Sequence, residues 1–351
     1  GRMVYYHQRN SGEFDFAFSL PFLNGQKGPQ FVPFNTNNPA LNGNNVANWI
    51  QITNLDSSEQ SGTLTYYNLS GSVIASQVVF LDPAARADYG VHDVALNQVG
   101  LVRWVPNDSS AEFQLRNVRY IYAQADFRAE FDTAFQLEGI KGSGELLSVP
   151  LDPTDGFSYL EVSNVSSSST SVTVNFFTAS GALVETQTIT LAARASQHFP
   201  ATSLGSSLGL ATVDGASANS IIATGMNYGV PSAGVLEWMY GDHARQAVGT
   251  TLRSSYNTWL NQGCTLVVAN PTINDQDATL DMVRSSGLSI ISSSSITVPA
   301  RGLYTLDLCS SEADNYYGVV TVTAGNAGSL QGQVIRLGSA DAYRFPTPLR
   351  P

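Results

Sequence analysis

Three apolar runs in this chain each stop at an asparagine, and each asparagine is followed by a glycine 17 residues later. The runs are Ile50-Gln51-Ile52-Thr53-Asn54, Leu160-Glu161-Val162-Ser163-Asn164 and Leu266-Val267-Val268-Ala269-Asn270, and the glycines are Gly71, Gly181 and Gly287. A fixed internal period of this kind constrains the fold more than any composition does, because a chain that repeats its landmarks repeats its supersecondary unit. More landmarks follow in the same order. An apolar residue and then an arginine come next, in Leu81 to Arg86, Leu191 to Arg194 and Val298 to Arg301. A glycine then opens an alternating run at Gly100, Gly209 and Gly318. Strand-like segments close each copy: Phe113 to Tyr120, Ile221 to Tyr228 and Leu330 to Leu337. Upstream of each asparagine, Glu13-Phe14-Asp15-Phe16-Ala17-Phe18 matches Glu130-Phe131-Asp132-Thr133-Ala134-Phe135, with Glu237-Trp238 as a reduced third copy.

These landmarks divide the chain into units at 11–127, 128–234 and 235–346. The first is longer because residues 34–45, rich in Asn, Gly and Pro, form an insertion that reads as a surface loop. Within each unit, short segments alternate apolar and polar, as in Ser171-Val172-Thr173-Val174-Asn175-Phe176 and Thr63-Leu64-Thr65-Tyr66-Tyr67. Period two marks a strand with one buried face. Turn residues break the pattern every 8–12 positions, the spacing of a β-sandwich or barrel, and about seven strands fit in each unit. A helix fails because no stretch of a dozen residues keeps a 3.6 period. The repeated glycine suits a hairpin turn with positive φ.

The succession of apolar run to Asn, strand, turn Gly, strand and apolar-x-x-Arg resembles the tandem Ig-like sandwich repeats of bacterial secreted and cell-surface proteins. The resemblance covers nearly the whole chain and implies an extracytoplasmic scaffold or binding role. It supplies no catalytic residue. The fold expected is all-β, with three tandem Ig-like antiparallel sandwiches.

Charge and composition restrict the partners. The formal net charge is −11 and only Lys27 and Lys141 are lysines, which argues against a nucleic-acid backbone. No apolar stretch approaches 18 residues, so no transmembrane helix is expected. The first residues carry no signal-peptide core, so the signal of an exported protein would have been removed or would lie outside this sequence. The two cysteines, Cys264 and Cys309, both lie in the third unit, and a local disulfide there fits an oxidising compartment. It would close a loop of about 45 residues and stabilise by roughly 3–4 kcal/mol.

Several patterns invite a chemical reading and yield to a simpler one. Gly205-Ser206-Ser207-Leu208-Gly209 spells G-x-S-x-G, but that motif needs a strand-to-helix elbow, and the counterparts in the other units lack the serine. His7, His92, His198 and His243 have no metal-ligand spacing, so zinc is not expected. Asp152, Asp155 and Gly156 form one acidic turn, and Asp275, Asp277 and Asp281 form an acidic stretch. Neither spells a calcium loop, and both read as turn formers. Glu13, Glu130 and Glu237 fall where units meet, and a hydrogen bond or ion pair there outweighs a junctional calcium site. The repeated Arg86, Arg194 and Arg301 read as fold residues that lay their stems on apolar surface and donate to loop carbonyls.

Aromatic residues offer the one ligand hypothesis. Tyr67, Trp104, Trp259 and Tyr317, from a set that also holds Tyr66, Tyr316 and Trp238, are candidates for stacking on a sugar face. In adjacent pairs such as Tyr66-Tyr67, one ring faces the core, and the other faces solvent or covers a neighbouring domain. The expected function is non-catalytic, with no cofactor and no metal: a structural or adhesive protein whose partner is a protein or glycan on a cell surface or envelope. The alternatives are an array of carbohydrate-binding modules and the accessory part of a secreted hydrolase. The segments Tyr120 to Glu130 and Tyr228 to Glu237 carry apolar residues rather than a solvated linker, so neighbouring units are expected to dock.

Overall fold

The computed structural model describes residues 2–8, 14–21, 24–37, 46–122, 131–143, 146–215, 217, 219–230, 236–338 and 343–351. Among them the chain is all-β, with short 3-10 turns and no α-helix. It opens with a hairpin of β1 (Arg2–Gln8) and β2 (Phe14–Pro21). A two-residue β3 (Gln26–Lys27) precedes β4 (Gln30–Asn35), β5 (Val46–Asn54), β6 (Gln60–Asn68) and β7 (Val73–Leu81). Then come β8 (Arg86–Gly90), β9 (Val99–Pro106), β10 (Glu112–Tyr122) and β11 (Phe131–Glu138). The next eight are β12 (Leu147–Leu151), β13 (Gly156–Asn164), β14 (Thr170–Thr178), β15 (Leu183–Leu191), β16 (Ser196–Pro200), β17 (Gly209–Gly215), β18 (Ile221–Gly229) and β19 (Trp238–His243). The last eight are β20 (Thr251–Asn257), β21 (Gly263–Ala269), β22 (Gln276–Arg284), β23 (Ser289–Val298), β24 (Leu303–Asp307), β25 (Tyr317–Ala324), β26 (Gln331–Leu337) and β27 (Arg344–Pro348).

Apart from the hairpin, these strands form six small antiparallel sheets in three pairs. The orders are β4-β9-β6-β7 with β11-β10-β5-β8, β12-β17-β14-β15 with β16-β13-β18-β19, and β20-β25-β22-β23 with β24-β21-β26-β27. Each pair shares an apolar cluster drawn from both of its sheets: Ile50, Ile52, Leu64 and Trp104 in the first, Leu160, Val162, Val174 and Val213 in the second, and Leu266, Val268, Leu280 and Val322 in the third. We call each such pair a unit. Eight strands are common to every unit, one more than expected, and in the first unit the two-residue β3 also pairs with β10. The added strand is the eighth, β11, β19 or β27, and each bonds backward to the seventh of the same unit. The expected boundaries at 128 and 235 therefore fall one strand too early. Phe131 and Trp238 begin the last strand of a unit, not the first strand of the next.

The landmark residues hold these elements in place. Asn54, Asn164 and Asn270 are fully buried and make the same bonds. Each side-chain amide donates to the loop after its strand, at Ser58, Ser168 and Asn274, and across to the end of the fourth strand, at Leu81, Leu191 and Val298. Each carboxamide oxygen accepts an amide two residues on. One side chain thus closes its own turn and ties it to a second one, using two donor hydrogens and an acceptor that neither a carboxylate nor a hydroxyl offers together. Gly71, Gly181 and Gly287 have φ of 84°, 88° and 88°, the left-handed region that a tight hairpin demands. The arginine landmark is less uniform. Arg194 and Arg301 sit at the positive-φ corner after the fourth strand, but Ala84 takes that corner in the first unit. Arg86 lies two residues later, at the start of β8, so it is not their counterpart.

Candidate functional site: the faces between units

The informative surfaces are those where units meet. The two meetings use the same parts. The hairpin between the third and fourth strands of one unit seats on the corner before the fifth strand of the next. At the first meeting the Ser196 amide donates to the Leu69 carbonyl at 2.9 Å, and at the second the Leu303 amide donates to the Ala179 carbonyl at 2.8 Å. The turn glycines sit against these corners so closely that a Cβ on Gly71 would overlap the Ala193 carbonyl oxygen, and one on Gly181 that of Ala300. The Arg194 guanidinium lies over the Phe31 ring at 5.4 Å and Arg301 over Phe177 at 5.9 Å.

Apolar side chains fill the faces. Phe31, Tyr67 and Leu101 of the first unit pack on Val165 and Ile222 of the second. Phe177 and Leu210 of the second pack on Val267, Ala269 and Leu303 of the third. The adjacent aromatic pairs divide as their alternation predicts: Tyr66 and Phe176 enter their own cores, while Tyr67 and Phe177 cover the neighbouring unit.

The polar parts of the two meetings differ. At the first, Arg119 donates to the Pro33 carbonyl at 3.1 Å and to Glu161 Oε2 at 3.3 Å, with both side chains out of solvent. His198 Nε2 stands 3.9 Å from the other Glu161 oxygen. Burial raises the Glu161 carboxyl, but Arg119 and His198 outweigh it and hold it below the usual carboxylate value. Burial pushes His198 below its ordinary value despite Glu161. At the second, Arg344 pairs with Asp152 at 3.2 Å and with Asp155, and its guanidinium covers the Trp238 ring at 4.3 Å. The acidic turn, read as a turn former, is also an ion-pair anchor between units. Asp275, Asp277 and Asp281 accept local bonds from Ala300, Thr297 and Ser293.

The eighth strands meet on a common axis. The strands β11 and β19 pack together, as do β19 and β27, and β2 lies against both β11 and β27, closing a circuit of four. A cavity of about 40 Å³ lies among these strands, lined by Phe18, Phe135, Gly241 and Phe345. At its mouth Glu138 accepts from Arg350 at 3.2 Å and Arg245 at 3.5 Å, and its backbone carbonyl lies 2.6 Å from His243 Nε2. Burial raises the Glu138 carboxyl, and Arg245, Arg350 and His243 bring it below its ordinary value. Burial also lowers His243. Glu237 donates its amide to the Gly229 carbonyl at 2.9 Å, while Glu13 and Glu130 lie outside the described residues, as do the insertion from Asn38 to Asn45 and most of the segments between the seventh and eighth strands.

Of the four stacking candidates, two are not available to a ligand. Trp104 is fully buried, edge-on to Phe113 at 5.1 Å, because its strand turns alternate residues inward from Val102. Tyr67 is covered by the second unit. Trp259 and Tyr317 are exposed at the free end of the third unit. The sequence reading missed a groove of about 350 Å³ on the outer face of the first unit, bounded by Trp49, Gln51, Arg86, Asp88, Tyr120 and Tyr122. Its signal was the outward parity of Trp49 and Tyr120 on paired central strands. Cys264 and Cys309 are joined, with Cα atoms 5.1 Å apart, tying β21 to the turn after β24. Ser207 is exposed in a loop that leads into β17, with no helix behind it. The remaining histidine contacts are polar or aromatic: His92 Nδ1 lies 3.3 Å from the Asn48 carbonyl and its ring is edge-on to Trp49. Among the described residues no group of three His, Cys, Asp or Glu side chains is placed to hold a metal ion, and no helix is long and apolar enough to cross a membrane.

No family model matches this sequence, and no curated protein matches it. Two solved structures give remote likenesses. A DUF4785 family protein from Legionella pneumophila aligns with 8% identity over 99% of this chain and 91% of its own, at a TM-score of 0.15. Squid arrestin aligns with 10% identity over 64% of this chain and 92% of its own, at a TM-score of 0.10.

Proposed function

We propose that this chain is a non-catalytic scaffold of an extracytoplasmic compartment, built from three copies of one Ig-like sandwich and presenting a fixed surface to a protein or glycan. The observation that carries the proposal is the repeated seating of hairpin on corner, with the same amide-to-carbonyl bond at both meetings. Flexible tethering would not need two equivalent, desolvated contacts. The Ig-like reading rests on the hairpin of third and fourth strands beside the sixth, and on the second strand beside the fifth. Relative to an Ig constant domain, the first and seventh strands exchange edges and the fourth lies beside the third instead of the fifth. The circuit of eighth strands favours a compact platform over an extended stalk. The disulfide is compatible with an oxidising compartment. Small-angle scattering of the whole chain tests the scaffold: one compact particle with a single maximum dimension is expected. A broad distribution fitted only by freely rotating units would remove the mechanical basis of the reading.

A second reading, glycan binding, is favoured by the outer groove of the first unit. There Trp49 and Tyr120 supply ring faces, and the Arg86–Asp88 pair, 2.9 Å apart, supplies donors and acceptors. A glycan array followed by tryptophan fluorescence tests it, with Trp49→Ala expected to abolish any signal. Unchanged binding in that variant would end this reading.

A further inference from the structure

The N-terminal hairpin has the geometry of the last two strands of a unit. The strand β2 takes the fourth place in the axial circuit otherwise made by β11, β19 and β27. By register, Phe18 stands where Phe135, Tyr240 and Phe345 stand, and all four rings are buried. The strand β1 pairs with β2 as each seventh strand pairs with its eighth. In the complete units the seventh strand also pairs with the second, as β10 does with β5, β18 with β13 and β26 with β21. The second edge of β1 has no such partner among the described residues.

Side chains record the same vacancy. Met3 and Tyr5 are 45% and 46% exposed, although their counterparts in the first unit, Asn117 and Arg119, are at 0% and 1%. They lie on the side of the hairpin that in a complete unit faces the core. The docking parts at the two ends of the array are also unused. A Cβ at Gly287 would meet nothing within 4 Å, unlike those at Gly71 and Gly181. Tyr317 and Val319, on the outer face of β25, are 55% and 44% exposed, whereas Leu101 and Leu210, the counterparts of Val319, are fully buried under the next unit. At the other end, the corner from Ala84 to Arg86 receives no hairpin among the described residues.

We infer that the space between the first and third units is the seat of a fourth unit. In it β1 and β2 are the seventh and eighth strands, and the first six strands come from polypeptide ahead of Arg2 in the same chain. The source follows from strand order. In all three units the sixth strand ends only a few residues before the seventh begins, at Pro106 to Glu112, Gly215 to Ile221 and Ala324 to Gln331. The fourth unit lays its second strand along the side of β1 away from β2, as β5, β13 and β21 lie beside β10, β18 and β26. It seats its hairpin on the Ala84 corner and receives the Gly287 hairpin, which closes the array into a ring. This inference rests on reading the units as copies of one repeat. It competes with glycan binding, because the fourth unit would cover the face that carries Trp49 and Tyr120.

Two measurements test it. The coding sequence ahead of Gly1 should contain an apolar run ending in Asn about 60 residues upstream, with Gly 17 residues after that Asn, by the spacing of the three visible copies. A start codon directly ahead of Gly1, or a long upstream sequence without those landmarks, overturns the proposal. Hydrogen exchange then compares the 351-residue chain with the longer polypeptide. Alternate amides of β1 should exchange at least about 100-fold more slowly in the longer form. Equal rates overturn it, as would glycan binding at Trp49 in the longer form. Neither outcome depends on scattering by the 351-residue chain, so the scaffold reading stands or falls separately.

Discussion

Replacing each of the three turn glycines by alanine should give unequal results, and the inequality follows from where the units touch. All three have φ near +85°, so each alanine bears the same left-handed backbone penalty, roughly 1–2 kcal/mol. Gly287→Ala adds nothing to it, since its Cβ enters open space. Gly71→Ala and Gly181→Ala drive a Cβ into the facing carbonyl oxygen, so the two units must part or the corner must shift. Overpacking of this kind adds roughly 1–3 kcal/mol. Displacing the hairpin also endangers the inter-unit bond, for about 1 kcal/mol more. The expected costs are about 3–6 kcal/mol at the two docked turns and about 1–2 kcal/mol at the free one. Amide exchange resolves this better than global unfolding, because a multi-unit chain need not unfold in one step. Gly181→Ala should speed exchange at the Leu303 amide on the order of 30-fold or more and leave the Ser196 amide alone. Gly71→Ala should do the reverse, and Gly287→Ala should change neither. Equal effects of all three variants on the whole chain, or an unmoved Leu303 amide in Gly181→Ala, would refute the docking argument.

Other outcomes follow from the buried charges and the disulfide. Glu161→Gln should leave Arg119 buried without its counter-charge and loosen the first meeting of units by about 3–5 kcal/mol, read as faster exchange at the Ser196 amide with Leu303 unaffected. Acid should weaken the same region in two stages. His198 and His243 have folded values lowered by burial, so the unfolded chain binds protons first and stability falls as pH drops from about 6.5 through those lowered values. Glu138 and Glu161 are also lowered, so their contribution is complete above about pH 4.3 and is lost as pH falls through their folded values. A melting temperature that rises between pH 7 and 5 would contradict this assignment. Reduction of Cys264–Cys309 should destabilise the third unit by roughly 3–4 kcal/mol, with exchange in β21 and β24 accelerated and the first unit unchanged.

Much of the unit was legible because its determinants are local. A buried Asn that closes its own turn, and a glycine with positive φ a fixed distance on, leave their marks within one stretch of sequence. So does the parity of Tyr66-Tyr67, which told one inward ring from one outward ring. The misreadings concern choices that only tertiary pairing makes. Glu130-Phe131 precedes the second unit in sequence, but whether a strand bonds backward or forward is not encoded in its own residues. Arg86 matched its landmark by residue type, while the structural position is set by backbone conformation and belongs to Ala84. The acidic turn at Asp152 looks solvated until Arg344, distant in sequence, arrives beside it. Glu161 gave the one local warning: a carboxylate in the middle of an apolar central strand requires a partner.

That carboxylate also explains how three units with the same strand order keep a fixed arrangement. A head-to-tail contact repeats without limit or closes into a ring, and nothing in the shared hairpin-on-corner bond distinguishes one neighbour from another. The distinguishing groups sit beside it. Glu161 of the second unit corresponds to Val267 of the third, and Arg119 of the first corresponds to Asn227 of the second. The two substitutions go together, so the first meeting is charged on both sides and the second is neutral at those places. Seating the second unit's hairpin face on a copy bearing Glu161 would bury a carboxylate without its arginine. Seating the first unit's face on the third would strand Arg119 against Val267. Each error costs several kcal/mol, comparable to the stability of a whole domain. The ion pair therefore adds little to the strength of the correct assembly and much to its difference from the wrong ones, which is how a buried charge pair is best used.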